Sequence, residues 1–170
     1  MKRVLSDEEV ESLVRERKPL PRGWESRLEP RPKSDTRFSR RELEIKGENG
    51  NIFRIVLRQN NINLLDFSII LIFRDKDGNE FRLCRFNGKH PSQHTNRLER
   101  NRGLPNASFR GMFHIHRATQ RYQEEGFEID GYAEATSEYS SFKGALRMFL
   151  QTNGFDEEDL PLFNGQGARK

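Results

Sequence analysis

The four histidines of this chain lie within 27 consecutive positions, which makes them candidates for a shared chemical task. His90 and His94 belong to the segment CRFNGKHPSQHTN, and His114 and His116 belong to the segment FHIHRATQRY. Imidazole exchanges a proton near neutral pH and is also a common ligand of transition metals. The spacing therefore suggests either acid–base chemistry or metal binding.

The H-x-H pair acquires a defined geometry if its segment is a β-strand. Successive side chains of a strand alternate between faces, so Phe113 and Ile115 would pack into the core. His114 and His116 would then share the opposite face, about 7 Å apart. Such a pair fits a general acid and base for phosphoryl chemistry. It also fits two metal ligands, with a histidine of the earlier segment as the third.

The charge around the histidines favours phosphate over metal. Residues 81–121 carry nine basic side chains and one acidic side chain, whereas the whole chain has a net charge of +4. Positive surroundings oppose a dication and attract a polyanion, and guanidinium groups bind phosphate oxygens in pairs. The alternative is a solvated face whose arginines pair with the acidic last third of the chain. We predict no metal and no cofactor.

These considerations define two sets of candidate site residues. Of the four histidines, His114 and His116 would act as acid and base, with His90 or His94 as an auxiliary group. The candidates for substrate binding are Arg97, Arg117, Arg121, Asn96, Thr95 and Tyr122.

Neighbouring residues complete the predicted site. Tyr122 is equally compatible with the core stripe of a short helix. Asp130 and Glu134 are the nearest downstream acids available to orient an imidazole. We expect the nearby positive charge to lower the pKa values of the histidines.

The elements that must position these residues are mainly strands. The pairs Asn49-Gly50 and Asp77-Gly78 separate alternating apolar runs, which is the pattern of two β-hairpins. The H-x-H segment follows as a fifth strand, and residues 142–150 show the apolar spacing of an amphipathic helix. We therefore predict an α+β fold, with an antiparallel sheet of about five strands packed by the C-terminal helix.

Three regions are expected along the chain. Residues 1–36 would form a short helix from about Asp7 to Arg17, which the capping-box pair Ser6 and Glu9 begins. A proline-rich arm would follow, attached to the body by Trp24 and Leu28. Residues 37–155 would form the α+β domain, and residues 156–170 a loosely held tail. The polar segment 87–111 is long for a loop without structure, a length typical of functional loops or of disordered segments.

Composition predicts the cellular setting. The chain has one cysteine, Cys84, which suits a reducing compartment, and it lacks an apolar run long enough to cross a membrane. Its first residues turn acidic too early for a signal peptide. We predict a cytoplasmic protein without membrane contact.

The order FNGKHPSQHTN, FHIHRATQRYQEEGFEIDGYAEAT and ALRMFLQTNGF resembles a family of small uncharacterised proteins of bacteria and their phages. The resemblance covers about residues 38–155 and includes a Gly88–His–Asn96 loop, the H-x-H strand and a turn from Tyr122 to Gly126. It implies an antiparallel meander with a final helix and a mobile-element setting. The family has no established activity.

Three functional hypotheses follow. The leading one is a nucleic-acid-acting protein, a metal-independent ribonuclease of toxin or defence type, with RNA favoured over DNA. The second is a non-catalytic module of a phage or mobile element that binds nucleic acid or an acidic protein partner. The third is a small metalloenzyme with histidine ligands.

Overall fold

The computed structural model describes residues 3–28, 37–105 and 107–156. In chain order its elements are α1 (Asp7–Arg15), α2 (Trp24–Leu28), β1 (Phe38–Lys46), β2 (Ile52–Asn60), β3 (Phe67–Arg74), β4 (Glu80–Asn87), β5 (Gln93–Thr95), α3 (Arg97–Asn101), β6 (Ser108–Arg110), β7 (His114–Arg117), α4 (Gln120–Glu124), β8 (Tyr132–Ala135) and α5 (Phe142–Thr152).

Six of these strands form one antiparallel sheet in the order β1-β2-β3-β4-β7-β8, and β5 pairs with β6 in a separate hairpin. The predicted α+β class, antiparallel sheet, N-terminal helix and C-terminal helix are confirmed. The sheet has one strand more than the five predicted, because the segment YAEA pairs with the H-x-H strand as β8. Gly50 and Gly78 have φ of 86° and 84°, as the predicted hairpin turns require.

The N-terminal region differs in part from the predicted extended arm. The capping box of Ser6 and Glu9 is present at the start of α1. Part of the proline-rich segment folds as α2, which buries Trp24 and Leu28 against the core, as expected of these two residues. Residues 29–36 of the arm and 157–170 of the predicted tail lie outside the described residues.

One face of the sheet holds the hydrophobic core. Phe53, Ile69 and Phe86 point from successive strands towards α5, whose Phe149 meets Phe86 edge to face with ring centroids 5.4 Å apart. Residues from α1 and α2 join the same core. The N-terminal helices and α5 therefore cover this face together.

The opposite face carries a polar row across four strands. Strand register aligns Arg58 with Ser68, Ser68 with Asn87, and Asn87 with His114. Side chains in register on one face of a sheet stand about 5 Å apart. The segment after β4, which contains β5, α3 and β6, lies over the His114 end of this row. We call this segment, residues 88–105 and 107–111, the flap.

None of the helices that the structure describes is long and apolar enough to span a membrane.

Candidate functional site

The four imidazoles meet on the polar face of the sheet, beneath the flap. The His94 ring centroid lies 4.7 Å from that of His116 and 5.8 Å from that of His114, and the two strand histidines are 5.1 Å apart. The His90 ring lies 5.9 Å from the His114 ring. The structure thus brings together all four predicted catalytic residues.

Strand pairing places the two histidines of β7. Ile115 packs into the core, so His114 and His116 take the other face, as alternation predicts. Register sets His114 opposite Asn87 and His116 opposite Arg85 on β4. The two imidazoles are consequently flanked by an amide and a guanidinium.

The flap supplies the other two histidines. His94 lies on β5 opposite Phe109 of β6, and its ring contacts both β7 histidines. The chain reaches His90 through Gly88, where an added Cβ would stand only 1.9 Å from the carbonyl oxygen of Leu65. Glycine is therefore required for the backbone to pass this close to the β2–β3 loop.

The imidazoles line a polar cavity of about 390 Å³ between sheet and flap. Two guanidiniums and one carboxylate complete its charged lining. The cavity is lined by His90, His94, His114, His116, Arg58, Arg85, Asp66, Ser68, Asn87, Pro91, Ser92 and Gln93. We call this space the histidine cavity.

The two strand histidines are held in their neutral forms. Nδ1 of His114 donates to the carbonyl of Met112 at 2.7 Å, and its Nε2 accepts from Nδ2 of Asn87 at 3.0 Å. Nδ1 of His116 donates to the carbonyl of Asp130 at 2.8 Å. Burial lowers the pKa of His114 to about 4. Burial, with the nearby Arg85 charge, lowers the pKa of His116 to about 2.

Each of the two flap histidines has one ring nitrogen that makes no hydrogen bond within the described residues. His90 donates through Nδ1 to the carboxylate of Asp66. His94 donates through Nε2 to Oδ1 of Asn96 at 2.8 Å. Burial lowers the pKa of His94, and the Asn96 bond opposes this shift. Nε2 of His90 and Nδ1 of His94 are therefore the nitrogens left for exchange of a proton with a ligand.

Asp130 orients an imidazole, but through its backbone. Its carboxylate is fully buried and lies between two guanidiniums, with Nε of Arg82 at 3.2 Å and Nε of Arg85 at 3.3 Å. Arg82 and Arg85 share this face because a β-bulge interrupts the alternation of β4. Asp130 thereby holds Arg85 beside His116. Glu134, the other acid considered, is exposed and accepts from the hydroxyl of Tyr132.

The six residues predicted to bind substrate do not line the histidine cavity. Arg117 is exposed at the end of β7, the Arg97 guanidinium lies near the Phe127 ring, and Arg121 pairs with Glu99.

The other three predicted binding residues have structural contacts. Tyr122 is buried in the protein, and its hydroxyl donates to Glu99 at 2.6 Å. The Thr95 and Ser108 hydroxyls hydrogen-bond across the flap hairpin at 3.0 Å. The Asn96 amide bonds both backbone groups of Ala133.

Sequence reasoning missed Arg58, Arg85, Asn87, Ser68 and Asp66 as cavity residues. Three of them were available from the alternation of the predicted strands, which places Arg58, Ser68 and Asn87 on the face away from the core. Arg85 depended on the bulge. Asp66 depended on a contact between the β2–β3 loop and the flap, for which the sequence carries no local signal.

The contacts of the β7 histidines occupy the nitrogens that a metal ion would need. The Nε2 atom of His114 faces an amide donor, and a guanidinium nitrogen of Arg85 lies 3.2 Å from Nδ1 and 3.5 Å from Nε2 of His116. A metal ion would need these same nitrogens as ligands. Among the described residues, no three His, Cys, Asp or Glu side chains are arranged to hold a metal ion.

No family model, no curated protein and no solved structure matches the chain. The resemblance to small bacterial and phage proteins therefore stays a prediction.

Proposed function

We propose that this chain cleaves RNA at the histidine cavity without a metal. The observation that supports the proposal is the convergence of four imidazoles and two guanidiniums around one cavity of about 390 Å³. Imidazoles exchange protons near neutral pH, and guanidiniums stabilise the charge that develops on a phosphoryl group. Arg58 and Arg85 take the phosphate-binding role predicted for Arg97, Arg117 and Arg121.

In the proposed reaction His94 is the base. Its lowered pKa keeps the ring neutral near pH 7, with Nδ1 as the acceptor. Nδ1 takes the proton of a ribose 2′-hydroxyl, and the 2′ oxygen attacks the adjacent phosphorus. The bond from phosphorus to the 5′ oxygen of the next nucleotide breaks, which yields a 2′,3′-cyclic phosphate.

His90 is the acid in the same scheme. Its Nε2 donates a proton to the departing 5′ oxygen, which leaves as a hydroxyl. Asp66 orients the ring through Nδ1 and offsets the positive charge of the imidazolium, as a carboxylate does for histidine in a catalytic triad. His114 and His116 line the cavity in their neutral forms and transfer no proton in this scheme. Their nitrogens face protein partners, and their pKa values lie far below neutrality.

The test is cleavage of single-stranded RNA and of DNA of the same sequence, with and without EDTA. We expect RNA cleavage that EDTA does not change, and no DNA cleavage, since DNA lacks the attacking hydroxyl. His90→Ala and His94→Ala should each lower the rate by about 100-fold or more, the usual contribution of a general acid or base. Asp66→Asn should lower it by at least about tenfold. Arg147→Ala, on the exposed side of α5, is the matched control and should leave the rate unchanged.

Three results would contradict the proposal. Loss of cleavage with EDTA would favour the metalloenzyme hypothesis. Salt-dependent RNA binding with no turnover would favour the non-catalytic binding module. Equal rates for the wild type, His90→Ala and His94→Ala would place any observed cleavage outside this cavity.

A further inference from the structure

Most basic side chains of residues 81–121 form no ion pair with the part of the chain that the structure describes. Arg82 and Arg85 pair with Asp130, and Arg121 pairs with Glu99. The other six are exposed, and none lies within 4.0 Å of a carboxylate oxygen of the described residues. These six are Lys89, Arg97, Arg100, Arg102, Arg110 and Arg117. Within the described residues, ion pairs with acidic side chains therefore account for only three of the nine basic groups.

The unpaired charge is concentrated on the flap. All six except Arg117 belong to it, and the sole acid of that segment, Glu99, already accepts from Tyr122 and Arg121. By contrast, Arg54 of β2 and Arg74 of β3 pair with glutamates of β1 and β4. The flap thus carries an excess of positive charge that the rest of the described chain does not neutralise.

This charge begins at the rim of the histidine cavity. Lys89 directly precedes His90, and Arg110 is paired in register with Gln93, which lines the cavity. From that rim the flap continues through α3, where Arg97 and Arg100 lie, to the C-cap residue Arg102. A polyanion with one phosphate in the cavity would meet further cations along the flap.

We propose that the flap is a binding surface for single-stranded nucleic acid that is continuous with the histidine cavity. The inference rests on the proposed function and specifies its substrate as a polynucleotide. A mononucleotide would leave the flap cations without phosphates. A duplex cannot place a nucleotide in a cavity of about 390 Å³ without unstacking it, whereas a single strand can.

The experiment measures binding as a function of salt in the cleavage-deficient His94→Ala background. The probes are a labelled 20-nucleotide oligouridine, a labelled RNA duplex and uridine monophosphate. The test variant adds Arg100→Ala, Arg102→Ala and Arg110→Ala. The control variant instead adds Lys76→Ala, Lys143→Ala and Arg147→Ala, three exposed cations away from the flap with the same total charge. Thermal melting confirms that both variants are folded.

For the oligouridine we expect the flap variant to lose about 2 from the slope of log affinity against log salt, since each phosphate contact on a single strand contributes about 0.7. Its affinity at low salt should fall by at least about tenfold, while the control variant keeps the parental slope. Uridine monophosphate should bind with equal affinity to the His94→Ala parent, the flap variant and the control variant. Equal slopes for flap and control variants, or a duplex bound as tightly as the single strand, would overturn the inference.

The two proposals fail separately. If the slope of log affinity against log salt decreases in the flap variant but the wild type cleaves no RNA, the flap binds nucleic acid and the proposed reaction is wrong. If the wild type cleaves RNA while flap and control variants bind alike, the reaction stands and the flap inference falls.

Discussion

His114 and His116 differ from His90 and His94 in what surrounds their rings. The β7 pair is 5% and 3% exposed and donates to backbone carbonyls, whereas the flap pair is half-buried and donates to side chains. We expected positive charge to lower the histidine pKa values. For the β7 pair the direction agrees, but burial is the largest cause and Arg85 contributes less.

This difference leads to a prediction for the pH dependence of stability. The unperturbed pKa of histidine is 6.5, whereas the folded-state pKa is about 4 for His114 and about 2 for His116. As the pH falls, the unfolded chain therefore binds protons at these two histidines before the folded chain does. Their contribution to the free energy of unfolding is complete above pH 6.5 and is lost as the pH falls towards 4 and 2. When the pH is lowered from 7 to 5, we expect the free energy of unfolding to fall by about 2 kcal/mol for each of these two histidines.

Urea denaturation at pH 7 and pH 5 measures this loss, and NMR titration assigns it to residues. The double variant His114→Gln and His116→Gln should show the shallower pH dependence. Arg147→Ala, as an exposed control, should keep that of the wild type. Imidazole signals of His114 and His116 that titrate above pH 6 would show that the rings are accessible to protonation and would contradict the assignment.

The flap is the element whose internal structure decides where two histidines lie. The predicted polar loop 87–111 contains β5, α3 and β6. The side chain of Asn96 connects it to the sheet: its Oδ1 accepts from the Ala133 N–H at 2.8 Å, and its Nδ2 donates to the Ala133 carbonyl at 2.7 Å. The amide thus completes the hydrogen bonding of β8 as a neighbouring strand would. The same Oδ1 holds His94.

Asn96→Ala should release the flap from β8. The substitution leaves both backbone groups of Ala133 without a partner in a buried site, at a cost of about 2–3 kcal/mol. Hydrogen exchange should accelerate at the amides of β5 and β6 more than at those of β2 and β3. Thr95→Ala is the control, because it removes only a half-buried hydroxyl contact with Ser108. Equal protection of the flap in both variants would show that Asn96 does not anchor it.

The C-terminal ends of α1 and α5 meet around Lys18. This lysine is fully buried, and its ammonium lies within 2.9 Å of the carbonyls of Leu13, Val14, Glu16 and Asn153. Three of these carbonyls lie at or just beyond the C-terminal end of α1, and the fourth belongs to the C-cap of α5, where a cation is favoured by the helix dipole. Lys18 therefore joins the N-terminal helix to the C-terminal helix.

Lys18→Met should destabilise the whole molecule. Methionine preserves the apolar volume of the side chain but leaves the four carbonyls without their shared donor, at a cost of about 3 kcal/mol or more. Chemical denaturation at pH 7 should show this loss, because burial lowers the lysine pKa only to about 8 and leaves the group mainly charged. Lys143→Met on the exposed side of α5 should change stability by less than about 0.5 kcal/mol. Similar stabilities of the two variants would show that the Lys18 contacts are not needed to hold the helices.

The sequence alone determined the elements whose signals are local. Glycine turns at Asn49-Gly50 and Asp77-Gly78 set the first two hairpins, and apolar spacing set α5. Alternation around Ile115 put His114 and His116 on the face away from the core. These features depend on residues a few positions apart, so their periodicity is visible in the chain itself.

Only the tertiary structure decided which groups complete the histidine cavity. Asp66 reaches His90 across 24 positions, and Arg85 shares a face with Arg82 only because of the bulge in β4. Arg97, Arg117 and Arg121 are near the histidines in sequence but do not line the cavity, since strand register and helix packing direct them elsewhere. Register between strands and the closure of a long loop arise from contacts between distant segments, and a single sequence contains no periodic signal for them.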